Sequence, residues 1–261
     1  MVEPSLPLNG VGVLVTRPQG QARRFMERIV ALGGKAWWLP GLEIAPPADM
    51  TGFLQVVNDL QGFDWLVFVS PTAVEQAWPA IAKRGGLPPG VRVAAVGAGS
   101  GRELARRGVH DVLTPEDNAD SESLIALLDL YTLAGRRIAL FRGEGGRTLL
   151  ADTLGARGAQ VLHAVCYRRV LPNADAAPVL CAWQAGRIQA VTVFSRDSLN
   201  GLLAQLTPEG KRLLSRTPLF VPHPRIAEHA RALGIAQTII TPAGEDGVLK
   251  ALTKHFAHVH A

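Results

Sequence analysis

Four segments in the first half of the chain return in the second half, in the same order and at an almost constant spacing. VLVTRPQGQARRFMERIVALGGKAWW aligns with IALFRGEGGRTLLADTLGARGAQVLH, so Arg17 matches Arg142 and Gly33 matches Gly158, each pair 125 residues apart. LVFVSPTAV aligns with VTVFSRDSL, which pairs Ser70 with Ser195 at that same spacing. VGAGSGRELARRG aligns with VPHPRIAEHARALG, where Gly108 and Gly234 lie 126 residues apart. LTPEDNADSESLIALL aligns with ITPAGEDGVLKALT, and Leu124 and Leu249 are again 125 apart. Any two series of strand–helix units share a period, but period alone does not keep one offset through four segments. An ancestral duplication does. It predicts two similar lobes with a cleft between them, the kind of place where small ligands usually sit.

The repeated unit is a strand followed by a helix. Val11–Thr16 is a short apolar strand, and Gln19–Leu32 carries Phe25, Ile29 and Leu32 at helical spacing before Gly33 and Gly34 stop it. Lys35–Leu39 is a second strand ended by Pro40. Asp64–Ser70 is a buried strand with a helix from near Pro71, and Val91–Val96 is a strand before a helix over Ser100–Arg107. Val112–Leu113 is a strand stub, Ser121–Leu130 a helix with Ser121 as its N-cap, and Arg137–Phe141 starts the series again. Short apolar strands joined by crossover helices imply parallel sheets, hence an α/β fold.

Composition narrows the partners. Apolar residues make up 48% of the 261, enough for a sizeable core. The net charge of +5 favours an anionic ligand. The basic residues are scattered, however, and run no longer than pairs such as Arg23-Arg24 and Arg136-Arg137; aromatics are 6%. Nucleic acid is therefore not the expected partner. Cys166 and Cys181 form no CxxC and read as small buried hydrophobes of a reducing, cytoplasmic protein. The start of the chain lacks a signal-peptide pattern, and no apolar run reaches the ~20 residues of a membrane span. His255, His258 and His260 read as a frayed basic tail rather than a metal site.

VAAVGAGSGRELARRG, residues 93 to 108, looks like the opening of a dinucleotide-binding loop. Gly97 and Gly99 fit G-x-G-x-x-G, but Arg102 holds the third position and Gly101 comes one residue early. Glu116 stands at a suitable distance for the ribose-binding acid. The repeat partner, VPHPRIAE, has no glycine, and no Walker motif occurs. Both copies do keep a strand, a tight turn and a helix N-terminus, whose free N–H groups suit carboxylates or phosphates. Ser70 and Ser195 stand at such points, as N-caps or as ligand donors. GxSxG, HExxH and paired Cys/His spacings are all missing. Three readings stand at this level: an enzyme acting on a polycarboxylate, a bilobed protein that binds one without chemistry, and a nucleotide-dependent enzyme using Gly97–Gly101.

Taken together, VLVTRPQGQA, DWLVFVSPTAV, VAAVGAGSGRELARRG, SESLIALL, RIALFRGEGGR, VLHAVCYRRV, VFSRDSL, VPHPRIAEHARALG and EDGVLKAL resemble the uroporphyrinogen-III synthase family, from about Gly10 to Thr253. The resemblance implies two flavodoxin-like lobes joined by a two-stranded linker. One lobe would hold residues 1–40 and 172–261, the other 44–168, with crossovers near Pro40–Ile44 and Arg168–Pro172. It implies a lyase that closes hydroxymethylbilane, a linear tetrapyrrole, with inversion of ring D through a spiro intermediate and loss of water. It implies no cofactor and no metal, a monomer, and a transient hand-off of substrate from the upstream deaminase.

The same resemblance singles out Tyr167, in AVCYRRV, as the hydroxyl that assists departure of the substrate's hydroxyl. It singles out Ser100 as a hydroxyl donor where the family often has threonine. Gly97, Gly99 and Gly101 would let backbone approach a carboxylate. Ser70, Ser195 and Ser198 would donate to carboxylates, and Arg17, Arg142 and Arg225 would pair with them from strand ends and helix starts.

Overall fold

Residues 6–115 and 120–257 are described by the computed structural model. In chain order these give β1 (Gly12–Val15), α1 (Gln19–Ala31), β2 (Lys35–Trp38), β3 (Glu43–Ala45), α2 (Thr51–Asn58), β4 (Trp65–Phe68) and α3 (Pro71–Lys83). Then come β5 (Arg92–Ala95), α4 (Ala98–Ala105), α5 (Ser121–Leu128), β6 (Arg137–Gly143), α6 (Leu149–Ala156) and β7 (Gln160–Val170). The rest are α7 (Ala177–Gln184), β8 (Ala190–Thr192), α8 (Arg196–Gln205), α9 (Pro208–Arg216), β9 (Leu219–Val221), α10 (Pro224–Ala232), β10 (Thr238–Ile240) and α11 (Gly244–Ala257).

The chain divides into two compact units, Met1–Glu43 with Val170–Ala261, and Ile44–Arg169. In the first, the sheet order is β10-β9-β8-β1-β2. In the second it is β3-β7-β6-β4-β5, and Leu113 adds a single parallel bridge to Ala94 beyond β5. The pairings β1–β2, β1–β8, β8–β9 and β9–β10 are parallel, as are β6–β7, β4–β6 and β4–β5. The α/β class read from short apolar strands therefore holds.

Placed side by side through the repeat, β1 corresponds to β6, β2 to β7, β8 to β4, β9 to β5 and β10 to the Leu113 stub. Apart from β3, which extends the second sheet beyond β7 and has no counterpart, the two sheets then run in one order. Each takes its first strand–helix–strand from one copy of the repeat and its remaining strands from the other. A strand's sheet partners are set by non-local pairing, which a local repeat does not encode.

Each sheet is covered on both faces because alternate residues of its strands point opposite ways. In the first unit Leu14, Val191, Leu219 and Val221 pack with Trp183, Leu202, Leu214 and Ile226. Val13, Val15 and Phe220 face the other way, onto Phe25, Ile29, Val248 and Leu252. In the second unit Leu66, Phe68 and Phe141 pack with Phe53, Val74, Ile81 and Leu104, and Trp65, Val67, Ile138 and Leu140 pack with Leu124, Leu128, Leu150 and Leu154. The duplicated stop signals are duplicated in conformation too. Gly33 and Gly158 have φ of 86° and 83°, and Gly108 and Gly234 have 83° and 84°, left-handed positions that favour glycine.

Some local expectations need correction. The cap of α5 is Asp120, extended at φ −134° and ψ 169°, whose carboxylate accepts from the Ser123 N–H at 2.9 Å. Ser121 already lies inside the first turn. Cys166 is buried, but Cys181 is exposed. On α7 the buried face is Val179, Ala182 and Trp183, and Cys181 falls out of phase with it. His255 belongs to α11 and sets its ring edge-on to Phe220, 5.5 Å away, rather than fraying; His258 and His260 lie outside the described residues. Helices α2, α7 and α9 carry no expectation from the sequence; two of them are only eight residues long, too short for a strong period. Among the described residues no helix is long and apolar enough to cross a membrane.

Candidate functional site

In the second sheet, β7 follows β6 on one side while β4 and β5 extend on the other. Crevices for ligands open at such reversals, outside the carboxyl ends of the strands. The residues leaving those ends are Ser70 after β4, Arg142 and Gly143 at the end of β6, and Tyr167 on β7.

Ser70 is extended, with φ −158° and ψ 158°, and its Oγ accepts from the Ala73 N–H at 3.0 Å to cap α3. Pro71 follows at the first helical position, where its missing N–H costs nothing. The Ser70 Oγ also lies 3.1 Å from the Tyr167 Oη. Tyr167 is 2% exposed.

A register shift brings the tyrosine there. β7 pairs residue for residue with β6 from Gln160↔Arg137 to Val165↔Arg142, then skips Cys166 so that Tyr167 stands opposite Gly143. Such a bulge re-aims a side chain. It leaves Cys166 and Tyr167 buried in succession, against strand alternation. The Cys166 Sγ donates toward the Arg142 and Ala73 carbonyls at 3.4 and 3.6 Å, and burial pushes its thiol up to about 12. Gly143 leaves room for the phenol ring: a Cβ there would lie 2.7 Å from the ring's Cε2 and Cζ.

The Tyr167 ring and its neighbours line a cavity of about 290 Å3 that also holds Val69, Val96, Ser121, Arg142, Arg147 and Arg169. Arg169 donates to the Tyr167 Oη at 3.2 Å, with its guanidinium carbon 5.5 Å from the ring centroid. Arg142 turns its guanidinium onto the carbonyls of Gly143 and Gly145, and Arg147 pairs with Glu122 at 3.1 Å. The result is a small cavity lined by three arginines and Glu144, with Tyr167 in its wall and the Ser70 hydroxyl bonded to it from behind. It can hold a carboxylate and present a proton to a neighbouring oxygen.

The neighbouring turn carries the glycine loop. Gly97 caps α4 in an extended conformation, φ −160°, and Ser100 is 2% exposed. A Cβ on Gly99 would meet Pro71 Cγ at 3.2 Å, and one on Gly101 would meet Thr114 Oγ1 at 3.3 Å. The chain itself fills the space these glycines leave. Packing of α4 on Pro71 at the start of α3 accounts for Gly99, and Thr114 accounts for Gly101. Glu116 lies outside the described residues.

The corresponding place in the first unit differs. Ser195 repeats the geometry of Ser70, with φ −154° and ψ 158°, and accepts from the Ser198 N–H at 3.1 Å. Ser198, however, is buried and donates to the Thr16 carbonyl at 3.0 Å. Arg17 lies over the Phe194 ring, 4.4 Å from its centroid, and bonds Glu245 and Gln21. Both side chains therefore have partners within their own unit. Arg225 is exposed at the start of α10.

The structure thus brings Ser70, Arg142 and Tyr167 together. It sets Gly97, Gly99, Ser100 and Gly101 one turn away in the same unit, and it places Arg17, Ser195, Ser198 and Arg225 in the other unit. Sequence reasoning passed over Gly143 and Arg169. The Tyr-Arg-Arg run was a usable signal for Arg169, since residues two apart on a strand share a face. Among the described residues no cluster of three or more His, Cys, Asp or Glu could hold a metal ion.

Fold and site define a class: a duplicated α/β protein of flavodoxin-like strand order, with a polar cavity at a strand-order reversal. Residues 23–247 match the family model described as uroporphyrinogen-III synthase HemD. The chain is 32% identical to the uroporphyrinogen-III synthase of Escherichia coli K12 over 255 residues, covering 93% of this chain and all of the relative. It is also 32% identical to that of Salmonella typhimurium LT2 over 246 residues, with the same coverage. The chain belongs to the uroporphyrinogen-III synthase family, whose enzymes are cyclising lyases. The crystal structure of a mutant uroporphyrinogen III synthase from Thermus thermophilus shares the fold, with a TM-score of 0.59 at 20% identity over 96% of this chain and all of that one. So does the Helicobacter pylori structure, with a TM-score of 0.56 at 14% identity over 94% of this chain and 99% of that one.

Proposed function

We propose that this chain closes hydroxymethylbilane to the macrocycle with inversion of ring D, and that the cavity at Ser70 and Tyr167 serves this step. The observation that carries the site reading is Tyr167, 3.1 Å from the Ser70 hydroxyl, in the wall of a cavity that Arg142, Arg147 and Arg169 also line, at the reversal of strand order. The family carries the reaction.

In this reading the Tyr167 hydroxyl donates its proton to the departing hydroxyl of the bilane, which leaves as water. A cationic azafulvene remains. The substituted carbon of ring D attacks it to form a spiro intermediate, which fragments and recloses with ring D reversed. The proton lost on rearomatisation balances the one donated. A phenol O–H can serve as such a donor. Fixed dipoles around the cavity would meet charge as it develops. The chain's main task is to fold the substrate so that the substituted carbon is in reach, since unaided closure gives the unflipped isomer.

Arg142 and Arg147 supply positive charge for the substrate's carboxylates, and Ser100 a further hydroxyl from the adjacent turn. Ser195 and Arg225 remain proposals for carboxylates bound by the first unit. The two free cysteines suit a reducing, cytoplasmic setting. Substrate passed directly from the deaminase would spare a reactive bilane from closing on its own.

The test is to generate hydroxymethylbilane with its deaminase, add this protein, oxidise the products and separate the isomers by chromatography. Type III product is the expected outcome. Product that stays type I refutes the reaction and favours a protein that binds without turnover.

A further inference from the structure

We infer that Arg169 is a positioning residue for the proton of Tyr167: together with Ser70 it holds the phenol oxygen as an acceptor, which leaves the phenol proton for the ligand. The inference rests on the proposed role of Tyr167 as donor.

The hydrogen bonds around the two hydroxyls lead to it. A guanidinium only donates, so the 3.2 Å contact from Arg169 Nη2 makes the Tyr167 Oη an acceptor. The Ala73 N–H makes the Ser70 Oγ an acceptor in the same way, at 3.0 Å. The two hydroxyl oxygens are 3.1 Å apart, and one of their two protons lies between them. The second proton has no use within this group of four residues. If Tyr167 donates to Ser70, the unspent proton is the serine's, a far weaker acid. If Ser70 donates to Tyr167, it is the phenol's.

Transfer to a leaving group decides between these. As the phenol proton departs, negative charge builds on Oη. In the second arrangement that charge meets two donors, one of them cationic, and charge-assisted hydrogen bonds are about twice as strong as neutral ones. The strand supplies the placement: Arg169 is two residues beyond Tyr167, on the same face of β7, with its guanidinium against the phenol ring. The leaving hydroxyl accepts the proton as its C–O bond breaks, giving water, while the electron pair of the O–H bond stays on Oη between Ser70 and Arg169.

A double-mutant cycle tests this in the full-length protein with bilane generated in place. Arg169→Met keeps much of the apolar stem and removes the donor. It should lower kcat about tenfold, the scale of one charged hydrogen bond, with KM within about twofold. Arg169→Lys, which keeps the charge and a donor, should recover most of the loss. In a Tyr167→Phe background, Arg169→Met should cost nothing further, because the oxygen it serves is gone. An equal loss of kcat in that background would show that Arg169 acts elsewhere and overturn the inference. A raised KM at unchanged kcat would make it a carboxylate-binding residue and overturn it too. Full turnover by Tyr167→Phe itself would instead remove the proposed role of Tyr167, and the inference with it.

Discussion

Gly143→Ala isolates the contact that seats Tyr167. The φ of Gly143 is not in the left-handed region, so alanine adopts this backbone without strain and the only new feature is a methyl group. That methyl would lie 2.7 Å from the Cε2 and Cζ of Tyr167 and 3.1 Å from its Cε1. Carbon atoms rest at about 3.5–4.0 Å, so the ring must retreat by roughly 1 Å. It is 2% exposed, so the ring can move only by displacing packed neighbours or by shifting into the cavity it lines. Overpacking of this kind costs about 1–3 kcal/mol, to be read as a lower urea midpoint. The same movement lengthens the 3.1 Å bond to Ser70 beyond hydrogen-bond range. A misplacement of roughly 1 Å in a reacting group costs about 100-fold in rate. The variant should therefore fold, lose about 1–3 kcal/mol, and turn over about 100-fold more slowly in the isomer assay. A wild-type midpoint together with wild-type kcat would refute the seating of the ring against Gly143. Lost stability with full kcat would keep the packing and remove Tyr167 from the chemistry.

The two copies of the strand-end serine should separate on substitution. Ser70→Ala and Ser195→Ala each remove an N-cap and should each cost about 0.5–2 kcal/mol in urea denaturation, but only Ser70→Ala should also lower kcat markedly, Ser195→Ala acting on KM through a substrate carboxylate; equal losses of kcat would place both units' caps in the reaction. The thiols should differ sharply, since Cys181 is exposed while burial holds Cys166 up at about 12: a thiol reagent at mild alkaline pH should modify one cysteine in the native protein and both in denaturant, and fast modification of both in the native protein would contradict the burial of β7. Burial works to raise Glu103, but Arg107 and Arg106 outweigh it and hold its carboxyl below the usual range. A depressed carboxyl stabilises the fold above the ordinary value of 4.5 and loses that contribution as pH falls through its own lower value. The urea-midpoint gap between wild type and Glu103→Gln should therefore narrow as pH falls below that value, and a gap independent of pH would assign the loss to packing.

Much of the local structure was legible because it rests on neighbours in the chain. The helix α1 was read from Phe25 and Ile29, and its stop from Gly33, which the structure confirms at positive φ. Ser70 and Ser195 read as caps because a hydroxyl at a strand end meets an N–H three residues on. The α5 cap was misread by one residue, since Asp120 and Ser121 both suit the position and only the backbone angles choose. Tyr167 was singled out only through resemblance to a family. Its neighbour Gly143 went unnoticed because a glycine at a strand end has no local meaning, while Arg169, two residues on along the same strand, was legible from the Tyr-Arg-Arg run.

What the amino-acid sequence determined alone is the repeated strand–helix grammar, set by hydrophobic period, glycine stops and caps that act within a few residues. What tertiary structure alone decided is partnership. It chose which copy's strands share a sheet, it inserted the extra residue Cys166 that turns Tyr167 onto Gly143, and it gave the matched arginines different fates. Arg17 lies on Phe194 and bonds Glu245, 228 residues away, while Arg142 closes a turn at the edge of a cavity. Those outcomes depend on contacts between distant parts of the chain, whose cost in chain entropy is met only by the assembled core.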